Sequence, residues 1–449
     1  MDLVPFVSKL NCTSACSNTH FFLTVIFNGV CKYHATTRFA TFTTKNIDMV
    51  NFRMIALTCD RPSRLLLGQQ NPWEHMLNHA ILRSKNPVNT ILHIGDQIYP
   101  DDEDIQDADK IFNEIYDTCT PSKKVLMMLR GRELWRNKYR HVFSTPGKVS
   151  VLSCVSNLMI WSDNDVANDF TTMKNEDGSQ TYHPHFLKCG MRTYREYQRR
   201  LWDPKCPLDV DNRDVQEWHS HTYGCIGIFM FDLRGNRITS DGIQMSDKNL
   251  ISSKQWEDFE KFLLNPTLRA VILCSETPFV GDEPKIVKEK VKESVKMNFL
   301  MDHWSFNEDE LIRLLDSCFS WKLAGEEKGI GKDVLLIGGD IHCGVTSVIR
   351  DNETGLLINH ITTSPVTNHV CDFFPSLSGN ISDRYNFSHL PLGKQFRNYA
   401  DVRINVEEEE VFIQARLIPI STDIFKNLTW ATKTDSKWTS MHRANTVSE

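Results

Sequence analysis

Two strands of one design constrain this chain more than any other feature of its sequence. Residues 91–94 (ILHI) form a short, mostly apolar run that stops at Gly95-Asp96. Residues 334–337 (VLLI) run in the same way into Gly338-Gly339-Asp340-Ile341-His342. A buried strand that ends at a glycine and then presents an aspartate places a carboxylate at the strand's C-terminal edge, where open α/β sheets put their ligands. Tyr99 follows Asp96 by three residues, with Pro100, Asp101 and Asp102 behind it. Either end alone could be a strand closing in an acidic, solvated turn. Two such ends, one with a histidine two residues on, point to two halves of a metal site.

The chain has 449 residues, 41% of them hydrophobic, so it can bury a substantial core. Length alone suggests roughly two or three domains, a rule that large α/β enzymes often break. A net charge of −6 offers no broad attraction to nucleic acid or to an anionic membrane. The thirteen cysteines are an odd number, scattered, with no CxxC pair. That usage fits reduced thiols in a cytoplasmic protein better than a disulfide framework. Residues 21–27 are apolar but too few to span a membrane and lack a basic flank, so neither a signal peptide nor a transmembrane segment is expected. Protein partners are not legible.

Taken in order, residues 1–20 are polar and irregular. Residues 21–27 and 30–34 flank Asn28-Gly29, a strong hairpin signal, and residues 39–43 add a third short strand; residues 21–50 therefore read as a small β appendage. The main domain spans 51–420, and 421–449 form a tail without pattern. Within the main domain, 52–58, 226–233, 270–274 and 356–361 read as strands, and 402–406 with 411–417 as an antiparallel hairpin. Asn71-Pro72 caps a helix carrying Trp73, Met76, Leu77, Ala80 and Ile81 on one face. Residues 101–143 are acidic and helical, and 149–161 are β-like. Residues 171–222 are expected to be a loop-rich lid with one helix near 192–202. Ser253 is expected to cap a helix bearing Trp256, Phe259 and Leu263. Asn307 and Glu310 form a capping-box pattern ahead of Leu311, Leu314, Leu315 and Cys318. The Lys/Glu alternation over 285–296 reads as a solvated surface.

Four strand ends then offer ligands: Cys59-Asp60, Asp96 with Tyr99, Asp163 through Asp169, and Asp340 with His342. Carboxylates, an imidazole and amide oxygens converging at strand tips suit two cations bridged by one carboxylate. Such a pair lowers the pKa of a bound water and clamps the oxygens of a phosphoryl group.

The segments ALTCD (56–60), GDQIY (95–99), WSDNDVAND (161–169), FDLR (231–234), ETP (276–278), Asp302-His303-Trp304, GGDIH (338–342) and TSP (363–365) together resemble the alkaline phosphatase D-like (PhoD-like) family of calcineurin-like metallophosphoesterases. The resemblance runs over about residues 38–405. It implies an α/β fold, a four-layer αββα sandwich, with a bimetal site at the strand tips. By this resemblance Asp96 is the bridging carboxylate, and Cys59 and Tyr99 are the thiolate and phenolate of a ferric site. Asp60 stays open as the ligand in place of Cys59. Asp340 with His342 is similar to the last metal motif, and Asp163 with Asn168 to the middle one, where calcium also binds. Two or more metal ions are implied, Fe(III) with Ca first and Zn, Mn or Mg as alternatives. The implied activity is phosphomonoester or phosphodiester hydrolysis by metal-bound hydroxide without a covalent intermediate, with Arg234 on the phosphate. Asp302 and Trp304 are expected to wall the pocket, and His183, His185 and His369 to lie outside it. One departure stands out. The family's middle motif reads Asp-Asp-His-Glu, whereas this chain has Ser162, Asp163, Asn164 and Asp165. Asparagine cannot donate a proton as imidazolium does, which leaves open a catalytically silent member that serves as a binding or scaffold module.

Overall fold

The computed structural model describes residues 19–27, 30–39, 50–100, 103–170, 182–211, 215–237, 249–371, 376–393, 395–408 and 410–422. The strands, in chain order, are β1 (Thr19–Phe27), β2 (Val30–Phe39), β3 (Val50–Leu57), β4 (Thr90–Ile94), β5 (Ser156–Ile160), β6 (His219–Tyr223), β7 (Ile226–Met230), β8 (Ala270–Cys274), β9 (Asp333–Gly338), β10 (Val345–Asp351), β11 (Leu357–Thr362), β12 (Ser378–Asn380), β13 (Tyr385–Pro391), β14 (Phe396–Val406) and β15 (Val411–Ser421). They form two large sheets and the separate β1–β2 hairpin. One large sheet has the order β15-β14-β3-β4-β5, and the other β12-β13-β10-β11-β9-β8-β7-β6. In the first, β3, β4 and β5 run parallel. In the second, β7, β8, β9 and β11 do.

The two-residue period of a strand explains why there are four layers. In β3, Met54 and Ala56 face one core while Ile55 and Leu57 face another. In β4, Leu92 and Ile94 join the first core and Ile91 the second. The larger sheet divides likewise: Ile226, Ile228, Ala270, Ile272, Leu335 and Ile337 meet the first core. Phe229, Val271, Leu273, Val334 and Leu336 instead meet the helices at Ser253–Leu263 and Glu308–Glu326 through Trp256, Phe259, Leu311 and Leu315. The shared core lies between the sheets and each outer core lies under helices, which is the αββα sandwich. No helix among the described residues is long and apolar enough to cross a membrane.

The hairpin forms with Phe27 opposite Val30. Its Asn28-Gly29 turn, the expected strand residues 40–43, residues 1–18, Asp101, Asp102 and residues 423–449 lie outside the described residues. Several local expectations are corrected. Lys148–Cys154 is a helix, and only Ser156–Ile160 is strand; the helix carries Lys148 and Val151 inward, a tertiary demand that overrides the β-branched composition. Of the expected loop-rich lid, residues 171–181 and 212–214 lie outside the described residues, and its helix, expected near 192–202, starts earlier, at Pro184. Pro184–Tyr197 is a helix with Phe186, Leu187, Tyr194 and Glu196 buried, held by the Arg136–Glu196 ion pair at 2.7 Å. The cap ahead of Trp256 is Ser252, whose hydroxyl accepts from the Gln255 N–H. Asn307 donates to the Met301 and His303 carbonyls instead of capping, and Glu310 accepts from Trp256 Nε1 at 3.1 Å.

Candidate metal centre

The loops after the parallel strands of both sheets meet at one edge of the sandwich. Cys59 follows β3, Asp96 follows β4 and Asp163 follows β5; Arg234, Glu276, Asp340 and Ser364 follow β7, β8, β9 and β11. Glycine makes this convergence possible at both Gly-Asp ends. A Cβ on Gly95 would lie 2.5 Å from Ser162 Cβ, and one on Gly339 would lie 2.3 Å from Thr58 Cγ2. Cys59, Asp96, Asp340 and His342 all have positive φ (58°, 57°, 68° and 52°), joined among the described non-glycine residues only by Asp169 at 52°. Such backbone costs of order 1–3 kcal/mol per residue and persists where the surrounding structure enforces it, typically at ligand clamps. Here it turns the side chains of neighbouring loops towards one point.

Two ligand sets result, and they share a residue. Cys59, Asp96 and His342 each bring one donor atom within 4.8 Å of the others, and so do Asp96, Asp163 and Asp340. Asp96 is 2% exposed; its Oδ2 accepts from Tyr99 Oη at 2.8 Å and lies 3.3 Å from Cys59 Sγ. Its Oδ1 is buried without a hydrogen-bond partner. Tyr99 Oη is also 3.2 Å from His342 Nε2, and Ser364 Oγ is 3.1 Å from Cys59 Sγ.

Burial raises the carboxyl pKa of Asp96, and the nearby Asp163 and Asp340 raise it further. Burial also raises the Cys59 thiol and the Tyr99 phenol. Asp169 is pushed up to about 8 by burial and by Asp163. Burial opposes ionisation of Asp340 too, but His303 Nε2 at 3.4 Å, Arg234 and His342 hold its carboxyl below the usual range. Burial lowers His342 to about 4, leaving a neutral imidazole at pH 7. A largely buried pocket that gathers three carboxylates, a thiol and a phenol is unfavourable until cations neutralise it. The orphaned Asp96 Oδ1 and the donor set therefore fit metal ions.

Of the residues singled out in the sequence, Cys59, Asp96, Tyr99, Asp163, Asp340 and His342 are brought together. Asp60 is not. Its Oδ2 accepts from Lys148 Nζ at 2.5 Å, and its Oδ1 from Thr367 Oγ1 at 2.6 Å and Trp73 Nε1 at 3.1 Å. Asn168 is exposed and donates to Asp169 Oδ2 at 2.6 Å, while Asp169 N–H binds Asp163 Oδ2 at 2.6 Å. Asn164 is buried beside Asp163, with Oδ1 unpartnered. Arg234 reaches the site enclosed by carboxylates: Glu276 at 2.7 Å, Asp163 at 3.6 Å, and Asp302. His183 and His185 lie away from the cluster against Tyr116.

Residues beyond the expected ligands also build the site, among them His369, which was expected to lie outside it. His369 Nε2 is 3.4 Å from His342 Nδ1 and Asn368 Nδ2 is 3.3 Å from His342 Nε2, so this loop lines the site. Asp165 holds the middle motif in place by accepting from the N–H groups of Asp96, Gln97 and Ser162. Only the spacing from Trp161 to Asp169 hinted at that role.

A family model for PhoD-like phosphatases matches residues 57–411. Among solved structures, the chain is similar to one titled "Structure of PhoD" with a TM-score of 0.53 and 14% identity, covering 90% of this chain and 73% of that one. It is also similar to purple acid phosphatase PPD1 from yellow lupin (Lupinus luteus) seeds, with a TM-score of 0.45 and 11% identity, over 89% of this chain and 57% of that one. No curated protein matches. The likeness to PhoD shows a shared fold, and the family match spans most of the chain: the protein belongs to the PhoD-like phosphatase family, hydrolases that act on phosphate esters.

Proposed function

We propose that this chain hydrolyses phosphate monoesters or diesters at a two-cation centre, by direct attack of water and without a covalent enzyme intermediate. The observation that carries this reading is the sharing of Asp96 between the two ligand sets. Cys59, Tyr99 and His342 would hold one cation and Asp163 and Asp340 the other, with Asp96 between them. A thiolate and a phenolate favour Fe(III), and carboxylates favour Ca, with Zn, Mn or Mg as alternatives. When bound, such cations supply Lewis acidity and an activated water. The chain's own residues do the rest. Arg234, surrounded by three carboxylates, orients Asp163 and balances its charge. Ser162 Oγ donates to Asp163 Oδ1 at 2.9 Å and Ser364 Oγ lies 3.1 Å from Cys59 Sγ, so both hydroxyls hold ligand residues in place.

Asn164 favours a second reading, a member that binds phosphoesters and turns them over poorly. The test is metal content by elemental analysis together with hydrolysis of an activated aryl phosphate. Wild-type protein is expected to hold two metals and hydrolyse the ester, and Asp96→Ala to lose both properties while remaining folded. A full metal complement in Asp96→Ala refutes the bridge. Metal-loaded wild type without hydrolysis refutes the enzyme reading.

A further inference from the structure

His303 stands between two residues that are locked inward. The Asp302 carboxylate pairs with buried Arg234. Trp304, wholly buried, donates through Nε1 to Ser275 Oγ at 2.8 Å and stacks on Phe279 with ring centroids 5.3 Å apart. The backbone of His303 is fixed as well. Its N–H donates to the Leu300 carbonyl at 3.1 Å. Its carbonyl accepts from the N–H groups of Phe306 and Asn307 at 3.1 Å and 3.3 Å, and from Asn307 Nδ2 at 2.8 Å. The imidazole, partly buried and edge-on to Phe299, reaches the metal centre, where Nε2 lies 3.4 Å from Asp340 Oδ2. Two anchored neighbours and a pinned backbone leave this ring little freedom to point elsewhere.

Each carboxylate of the set Asp96, Asp163 and Asp340 has a donor beside it. Tyr99 Oη donates to Asp96, and Ser162 Oγ and the Asp169 N–H donate to Asp163. For Asp340 the neighbouring donor is His303. Asp340 is the carboxylate that packing constrains least: its side chain is 26% exposed, against 4% for Asp163. A ligating carboxylate that gives one oxygen to a cation is oriented by whatever binds the other oxygen. A neutral imidazole with its proton on Nε2 is donor enough, so the contact does not depend on the ring becoming charged. Among the described residues neither ligand set includes His303, whose nitrogen meets the cluster through Asp340.

We propose that His303 is a positioning residue for one of the two cations: its Nε2–H fixes one oxygen of Asp340 so that the other faces the cation shared with Asp96 and Asp163. The proposal rests on the two-cation reading of the site. The test is calorimetric titration of the full chain, freed of that cation by chelation, with Ca2+ and in parallel with Mn2+, and urea midpoints are measured alongside. His303→Ala should bind the added cation about tenfold to a hundredfold more weakly. Elemental analysis should find the cation on the Cys59 side undiminished in the same variant. His303→Gln, whose amide N–H can reach the same oxygen, should recover most of the affinity. A His303→Ala protein that binds as tightly as wild type overturns the proposal. So does a His303→Gln protein that loses as much as His303→Ala, since the ring then binds the cation itself. Loss of both cations together with a lowered urea midpoint also overturns it, because the histidine then serves the fold alone. Wild-type protein that takes up neither Ca2+ nor Mn2+ refutes the two-cation centre, and the proposal with it.

Discussion

Lys148→Met tests how the strand tip at Cys59 is held. Lys148 Nζ lies 2.5 Å from Asp60 Oδ2, and both side chains are fully buried. The ammonium also sits over the Trp73 and Phe143 rings, at 5.1 Å and 4.4 Å. Methionine keeps the apolar stem and removes the charge, leaving the Asp60 carboxylate with only Thr367 Oγ1 and Trp73 Nε1. Breaking one side of a buried pair costs about 3–5 kcal/mol. That is a large part of the about 5–15 kcal/mol by which a folded protein is stable. The double variant Asp60→Asn/Lys148→Met removes both charges and should recover most of the loss, giving a coupling of several kcal/mol. Urea titration at constant metal gives the stabilities, and elemental analysis follows the ligands. Because Asp60 points away from the cluster, every folded variant should keep its metals. A Lys148→Met cost below about 1 kcal/mol, the level of an exposed pair, would refute the buried-anchor argument. Loss of metal in a folded Asp60→Asn variant would restore Asp60 as a ligand.

Two further outcomes are expected. If Tyr99 meets Fe(III) as a phenolate, the metal-loaded protein carries a visible charge-transfer band that Tyr99→Phe abolishes; colourless protein with full zinc or manganese makes Tyr99 a hydrogen-bond donor to Asp96 alone. Asn164→His should raise the rate on alkyl phosphoesters more than on activated aryl esters, by about tenfold or more, since only the poor leaving group needs a proton; an equal rise for both would mean that the residue acts on phosphate charge.

Much of this protein is determined locally and can be read without its fold. The buried strands of residues 52–58 and 91–94, and the glycines that end the central strands, depend on apolar runs and backbone freedom, both of which a sequence displays. So do the helix opened by Asn71-Pro72 and the hairpin of residues 402–417. Choices between neighbours are another matter. Cys59 and Asp60 are adjacent and both could bind metal; the positive φ of Cys59 and the burial of Lys148 decide that the thiol faces the cluster and the carboxylate faces away. Asn168 and Asp169 divide in the same way at the middle motif. Residues 149–154, which read as strand, are helix, and Lys148 at its start reaches Asp60, 88 residues earlier in the chain. The exposure of Leu66 and Leu67 could not be read from the three consecutive leucines at 65–67, which usually signal burial. Each of these outcomes turns on which side chain meets a partner far away in sequence, and only the packed sandwich brings those partners within reach.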